Sequence, residues 1–461
     1  MSELPNGWEK VEISQINSYS SETLDPSKHS ECKYELYSVP AFSVRNPEHL
    51  YGSEIGSSKQ RVKPNDVLLC KINPRINRVW SVIQSDTQHE QIASSEWIVF
   101  RQPLLCPNFV RYQMSEPSFR DRLCAETSGV GGSLTRAQPK KVDRYTLAIA
   151  PINEQRRVAE KLDGLLAQVA AIKSRIDAVP ALIRNFRTSV LSAAVSGRVT
   201  ANSGASPEVP FRLRSPLVFF KSEEATAPGN WKWQKLVDVA TLESGHTPRK
   251  SVPAYWKGGT VPWISLQDIR AADGKEIFST KFMPTELGIK NSSARLLPKG
   301  TVCFSRDISV GFVTIMGRSM ATTQHFANWI CGDELHPKYL MYAFMAGREH
   351  LLKSGQGSTV KTIYMPALKE LRILLPPLAE QAEIVRRVEH LFDVADQLEA
   401  KVATAKQRID ALTQSLLAKA FRGELVPQDP NDEPASVLLE RIRAQRAAAP
   451  KPKRGRKPAS N

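Results

Sequence analysis

No stretch of this 461-residue chain reaches the roughly 18 uninterrupted apolar residues of a bilayer-spanning helix, and its first ten residues carry no secretory-leader pattern. A cytoplasmic protein that does not engage membranes is expected. Cysteine is sparse: Cys32, Cys70, Cys106, Cys124, Cys303 and Cys331 are scattered, without a C-x-x-C pair or a histidine at ligand spacing. They are expected to be reduced, mostly buried thiols, with no metal site.

Catalytic signatures are also missing. There is no G-x-x-x-x-G-K-[ST] loop to cradle nucleotide phosphates, no glycine-rich turn behind a strand for a nucleotide cofactor, no H-E-x-x-H and no nucleophile elbow. An adenine methyltransferase needs Asn or Asp before Pro-Pro-aromatic to hold an extruded base, yet the only Pro-Pro pair, Pro376-Pro377, leads into Leu378. INPR at 72–75 is a weaker decoy. Asp268 and Asp307 stand apart from any nuclease-like acidic set and are read as structural. The chain is therefore expected to bind no cofactor and to catalyse nothing alone.

What the chain does have is positive charge. Its 63 basic residues against 47 acidic ones leave a net charge of +16, which fits a polyanionic partner, nucleic acid first. Its length exceeds one hydrophobic core and implies two to four domains.

The chain also repeats itself. Residues 151–199 lie over 377–425 without a gap, so that Pro151, Glu154, Gln155, Leu165, Ile183, Ser189, Leu191, Ala194 and Gly197 meet identical residues 226 positions later. Upstream, Ser128, Gly129 and Gly131 meet Ser354, Gly355 and Gly357 at the same offset, and NGWEKVEI at 6–13 resembles NWKWQKLV at 230–237. Within the repeat, Leu162, Leu165, Leu166, Val169, Ile172 and Ile176 recur at spacings of three and four. Ile384, Val388, Leu391, Phe392, Leu398 and Val402 do the same. Each copy predicts one long helix, on the order of 65 Å, stopped near Gly197 or Gly423; Pro180 is expected to kink the first. Two such rods would most simply pack as a coiled coil, the alternative being two unrelated amphipathic helices in separate domains.

The rest reads as mixed α/β. Short β-branched and aromatic runs (YELYSVPAFSV, DVLLCKI, EWIVF, TVPWISL, GTVCFS) predict strands, and FVRYQMSEPSFRDRLCAE and PKYLMYAFMAGREHLLK predict helices. The resulting plan is a globular unit at 1–150, helix at 151–199, linker at 200–227, globular unit at 228–376 and helix at 377–425. Residues 426–461 add a short helix and a basic, Pro-rich tail whose KRGRKP core is similar to a minor-groove hook.

Basic, polar and aromatic residues on expected loops are the candidate DNA contacts. In the first unit they are Lys71, Arg75 and Arg78, then Ser133, Thr135, Arg136, Lys140 and Lys141 after SGVGGS. In the second they are Arg249, Lys250, Tyr255, Trp256, Gln267 and Arg270, with Arg306, Lys361 and Tyr364 at positions comparable to the first set. Arg and Lys neutralise phosphates or pair with guanine, and Gln pairs with adenine. Any one of them alone reads equally as a solvated surface residue, and Trp97 and Trp263 read as core.

At PINEQRRVAEKLDGLLAQV, PPLAEQAEIVRRVEHLF, QSLLAKAFRGELVPQ and YWKGGTVPWISLQDI, the sequence resembles the specificity subunits of Type I restriction-modification enzymes, close to their enterobacterial Type IA branch. The resemblance covers nearly the whole chain. It implies two target recognition domains, 1–150 and 228–376, each reading half of a bipartite double-stranded DNA site, separated by long antiparallel helices that form a coiled coil with pseudo-twofold symmetry. It further implies docking of two methyltransferase subunits, which use S-adenosylmethionine to methylate adenine at N6, and of two restriction subunits, which use ATP with Mg2+. A modification-only or other defence complex, a coiled-coil scaffold with incidental charge, and a self-contained methyltransferase or nuclease are the alternatives.

Overall fold

The computed structural model describes residues 4–127, 135–200, 215–354 and 361–448. Ser133 with the glycine-rich segment around it, and the basic KRGRKP segment, lie outside the described residues. The chain divides into two compact units, one made of 1–176 with 404–461 and the other of 177–403. Each unit joins one globular region to portions of both long helices.

Both helices are 44 residues long, Ile152–Val195 and Leu378–Phe421, so their bounds keep the offset of 226 at each end. The first runs on through Pro180. Each stops just before a glycine of positive φ, Gly197 at 75° and Gly423 at 73°, where the left-handed backbone suits a residue without Cβ. Behind Gly423 the Glu424 amide donates to the Lys419 carbonyl and the Gly423 amide to that of Ala420, which satisfies carbonyls that the helix end would orphan.

Within each unit the two helical portions run antiparallel. In the first unit Lys173 pairs with Asp410 at 2.7 Å, while Leu162 clusters with Leu417, Ala420 and Phe421, so advancing along one helix retreats along the other. In the second, Arg187 bridges Asp396 and Glu399, and the Arg387 guanidinium donates to the Val199 carbonyl. Leu162, Val169, Ile384 and Val388 are buried as the periodicity requires. Leu165, Leu166, Ile176, Leu391, Phe392 and Val402 are partly buried. Ile172 and Leu398 remain 50% and 45% exposed, because the apolar stripe is broader than the strip one facing helix covers.

The first unit's globular part holds a five-stranded sheet and a three-stranded one. Val67–Cys70, buried at every position, is the centre of the latter, between Val79–Ser81 and Trp97–Phe100. Trp97 is core: its indole N–H donates to the Tyr37 carbonyl at 2.8 Å beside Trp80. The run expected as one strand at 34–44 leaves the sheet at Tyr37, and Pro40–Ser43 turns as a 3₁₀ helix. The helix expected over 109–126 is two, Pro107–Ser115 and Pro117–Ala125, since Glu116, preceding proline, is held extended.

In the second unit, Val302–Ser305 takes the same central place between Val313–Met316 and Phe326–Cys331. Two helices, Pro337–Ala346 and Arg348–Ser354, follow. The stretch 200–227, expected as a linker, needs correction. Its described part contains the strand Leu217–Val218, paired with Arg372–Leu375, and Leu217, Val218 and Phe219 are buried in the core. Burial of the apolar trio outweighs the Pro- and Ser-rich composition around it.

The first unit is closed differently, by the helix Ala435–Ala448. Leu438, Leu439 and Ile442 pack with Val11, Ile13 and Ile16; the Ala435 amide donates to the Gly7 carbonyl at 2.9 Å and the Arg446 guanidinium to that of Ser14 at 2.7 Å. The thiols also need correction: all six are free, but only Cys70 and Cys303 are buried, and Cys32 is exposed in the turn before the strand Lys33–Tyr37.

Candidate nucleic-acid interface

In the second unit, the segment after strand Ala240–Ser244 is locked by a close approach. A Cβ on Gly245 would stand 2.2 Å from the Thr322 hydroxyl and 2.3 Å from the Thr323 carbonyl, so only glycine lets the two backbones meet. The His246 amide then donates to the Thr322 carbonyl, and the Trp263 indole returns a bond to the His246 carbonyl. Trp263 is thereby core, with Trp256 edge-on against it at 5.4 Å. Trp256 ties the loop once more by donating to the Arg249 carbonyl.

These contacts shape an open pocket of about 590 Å³ whose wall includes Lys250, Trp256, Gln267, Phe282, Gln324 and His325. Arg249 and Lys250 are exposed beside it, and Gln267 accepts from Lys281. Tyr255 is partly buried, its carbonyl holding the Thr285 amide. Asp268 caps the helix Leu266–Ala271 by accepting from Ser265, the structural use anticipated for it. Asp307 holds the His325 ring at 2.6 Å. Between them Ile308, a half-exposed β-branched residue, sits at φ 55°, a conformation that such side chains rarely adopt and that is often retained at functional loops.

The Arg306 guanidinium donates to the Gln324 carbonyl, and its own carbonyl accepts from the Ile363 amide at 2.8 Å. That bond brings exposed Lys361 and Tyr364 to the same loop cluster. Arg270, exposed like Arg249, is nevertheless engaged, donating from Nε to the Ser309 hydroxyl.

The first unit builds a comparable frame. The Lys71 carbonyl accepts from the Ala137 amide at 2.9 Å, and Ala137 stands 226 positions before Ile363. Asn73 and Asn77, both at φ 47°, bracket a tight turn that carries exposed Arg75. The Thr135 carbonyl accepts from the Asn73 amide, and Arg136 reaches across to Glu96 at 2.9 Å. Lys140 and Lys141 lie exposed on the short helix Pro139–Val142, Lys141 donating to the Glu126 carbonyl. Arg78 is committed within the fold, to the Ile72 carbonyl.

The structure thus brings Lys71, Arg75, Thr135 and Arg136 together in one unit, and Arg249, Lys250, Trp256 and Gln267 together in the other. Thr247, Phe282, Thr323, Gln324 and His325 were not singled out in the sequence; the polar run TTQH at 322–325 before the apolar FANWI was the available signal. Among the described residues no His, Cys, Asp and Glu cluster could hold a metal, and no helix is long and apolar enough to cross a membrane.

A family model described as a Type I restriction modification DNA specificity domain matches residues 228–405. The chain is 31% identical over 376 residues to the Type I restriction enzyme StySPI specificity subunit of Salmonella potsdam, covering 77% of this chain and 75% of that one. It is 29% identical over 424 residues to the EcoKI specificity subunit of Escherichia coli (strain K12), covering 86% and 84%. Among solved structures, the HsdS subunit from Thermoanaerobacter tengcongensis superposes with a TM-score of 0.60 at 21% identity, over 92% of this chain and 98% of that one. A chain from a structural study of complex assembly and conformational transition of the type I R-M system gives 0.67 at 19%, over 92% and 100%. These two share the fold.

Proposed function

The chain belongs to the specificity subunits of Type I restriction-modification enzymes, and from that premise we propose that it selects a bipartite DNA site, one half through each globular unit, for partners that act on the DNA. One observation carries the proposal. Each unit sets basic residues on a frame closed by the same backbone bond, Ala137 to Lys71 in one and Ile363 to Arg306 in the other. Two related frames bearing different side chains suit two half-sites of different sequence. The cations hold phosphates, and the polar groups between them read base edges.

The long helices supply the partner surface in this reading. Ile172 and Leu412 are half-exposed in the first unit, and Leu398 and Phe186, their repeat equivalents 226 positions away, are half-exposed in the second. A duplicated apolar pair suits two copies of one partner, the methyltransferase subunit, and pseudo-twofold symmetry lets one chain dock both. An antiparallel coiled coil of these helices sets the unspecified spacer between half-sites. The methyltransferase subunits bring S-adenosylmethionine, the restriction subunits bring ATP with Mg2+, and the assembly works in the cytoplasm on the cell's own and invading DNA.

Methylome sequencing of cells that express the chain with its methyltransferase partner tests the proposal. A two-part motif with a fixed spacer and one modified adenine per half-site is expected; adenine methylation independent of the chain, or at a single undivided site, overturns it. Inserting one helical turn into both long helices is expected to lengthen the spacer and leave both half-sites unchanged.

A further inference from the structure

Gln324 stands exposed on the turn between the buried Thr323 and the strand Phe326–Cys331. Long polar side chains in such places ordinarily wander, yet this one is fastened. Its Oε1 accepts from the Thr247 hydroxyl at 2.5 Å and from the Thr323 hydroxyl at 3.0 Å, while its backbone carbonyl accepts from Arg306 at 3.1 Å. The two hydroxyls are themselves brought together, 3.2 Å apart, by the approach at Gly245 that allows no side chain. The amide nitrogen, by contrast, has no hydrogen-bond partner among the described residues. The side chain lines the pocket of Lys250, Trp256, Gln267 and Phe282.

With both threonine hydroxyls donating to its oxygen, the carboxamide turns its nitrogen outward. The oxygen is spent inside the protein, and what remains for a ligand is a pair of N–H donors held at a set place between cations. A group immobilised before binding loses no further rotamer freedom when it binds. From this we infer that Gln324 is a specificity-determining residue of the second unit, reading a keto base, guanine or thymine, through its major-groove oxygen. The inference rests on the DNA-reading function proposed above.

The chemistry sets the choice of base. Guanine offers O6 and N7 as neighbouring acceptors, and thymine offers O4; cytosine offers only the N4 donor. Adenine is read by glutamine through N6 and N7 together, which needs the amide oxygen as well as the nitrogen. With the oxygen held by Thr247 and Thr323, that bidentate pairing is closed to Gln324. Adenine offers such a donor pair N7 alone and sets its own N6 donor against the second N–H, so the residue type that reads adenine when free to present both atoms here favours a keto base.

The test uses the full chain with its methyltransferase partner, methylome sequencing, and binding to duplexes that vary one base pair at a time. In Gln324→Glu the outward donors become acceptors, so one position of one half-site is expected to change from a keto to an amino base or become degenerate, with affinity for the original site falling on the order of 10- to 100-fold. The other half-site and the spacer stay as they were. In Thr247→Val the amide loses one of its two fixing donors, and the same position is expected to relax and admit adenine. A two-part motif identical in wild type and both variants, with unchanged affinity, overturns the inference and leaves the proposed function standing. A wild-type chain that yields no two-part motif overturns the proposed function, and the inference falls with it.

Discussion

Gln155 and Gln381, 226 residues apart in sequence and both buried, make the same pair of connections in their respective units. Each lies in the first turn of a long helix and donates to the carbonyl just before that helix, Ala150 at 2.7 Å and Pro376 at 2.9 Å. Each also accepts from the backbone amide that caps a shorter helix opening with proline, at Cys106 and at His336. A single carboxamide thus joins the base of each long helix to its globular unit. Leucine in place of Gln155 leaves the partly buried Cys106 N–H and the buried Ala150 carbonyl without this partner, a loss of about 1–3 kcal/mol. Urea melts of Gln155→Leu should show that loss in midpoint at constant m; an unchanged midpoint contradicts the joint.

The neighbouring Glu154 gives the first unit a pH dependence. Its carboxylate accepts from the Trp8 indole at 3.0 Å, and desolvation raises its pKa above the usual value of 4.5. The folded unit therefore holds this proton more tightly than the unfolded chain does. Stability from this group is complete below the ordinary glutamate pKa and is lost as pH rises through the elevated one. Glu154→Gln stays neutral and can still accept from Trp8. Its melting temperature should exceed that of wild type at pH 7–8, with the difference vanishing toward pH 4; a variant less stable at pH 8 refutes the assignment.

Basic residues of similar sequence context should separate by salt response. Arg75 and Lys250 are exposed, whereas the Arg78 guanidinium is bound to the Ile72 carbonyl. Alanine at Arg75 or Lys250 is expected to weaken DNA binding and reduce the log–log salt slope by about 0.9 for each phosphate no longer neutralised. Alanine at Arg78 is expected to lower thermal stability and change the slope less. Binding measured across a salt series decides, and equal slopes in all three variants would speak against the division.

Glutamate at both Ile172 and Leu398 should abolish capture of the methyltransferase subunit, as read by size-exclusion chromatography, while leaving the melting temperature nearly unchanged. Either change alone should leave one partner bound. Full assembly of the double variant would remove these residues from the docking surface.

The long helices were legible in sequence because a helix that repeats its apolar stripe declares its length, and a glycine free of Cβ declares its end. Leu217–Val218 was not legible as a strand, since two residues in a Pro- and Ser-rich stretch acquire that conformation only by pairing with Arg372 and Ile373. The charges of the candidate interface could be read, but not which were engaged: Arg270 and Arg249 look alike in sequence, and only the fold places Ser309 against the first. Gln324 escaped notice for the same reason. Thr247, Arg306 and Gln324 come from three separate segments, and the group they form has no local signature.

The helix Ala435–Ala448 bears on how the protein is made. The second unit occupies the continuous stretch 177–403, while the first needs residues from both ends of the chain. At about 5–20 residues per second, Val11, Ile13 and Ile16 leave the ribosome on the order of tens of seconds before Leu438, Leu439 and Ile442 arrive to cover them. The domain begun first is therefore finished last, and its apolar floor stays uncovered until the closing helix is made. A stop codon just after Phe421 would spare every residue on the candidate DNA-facing loops and still strand that floor in solvent, so such a truncation should reveal itself through aggregation.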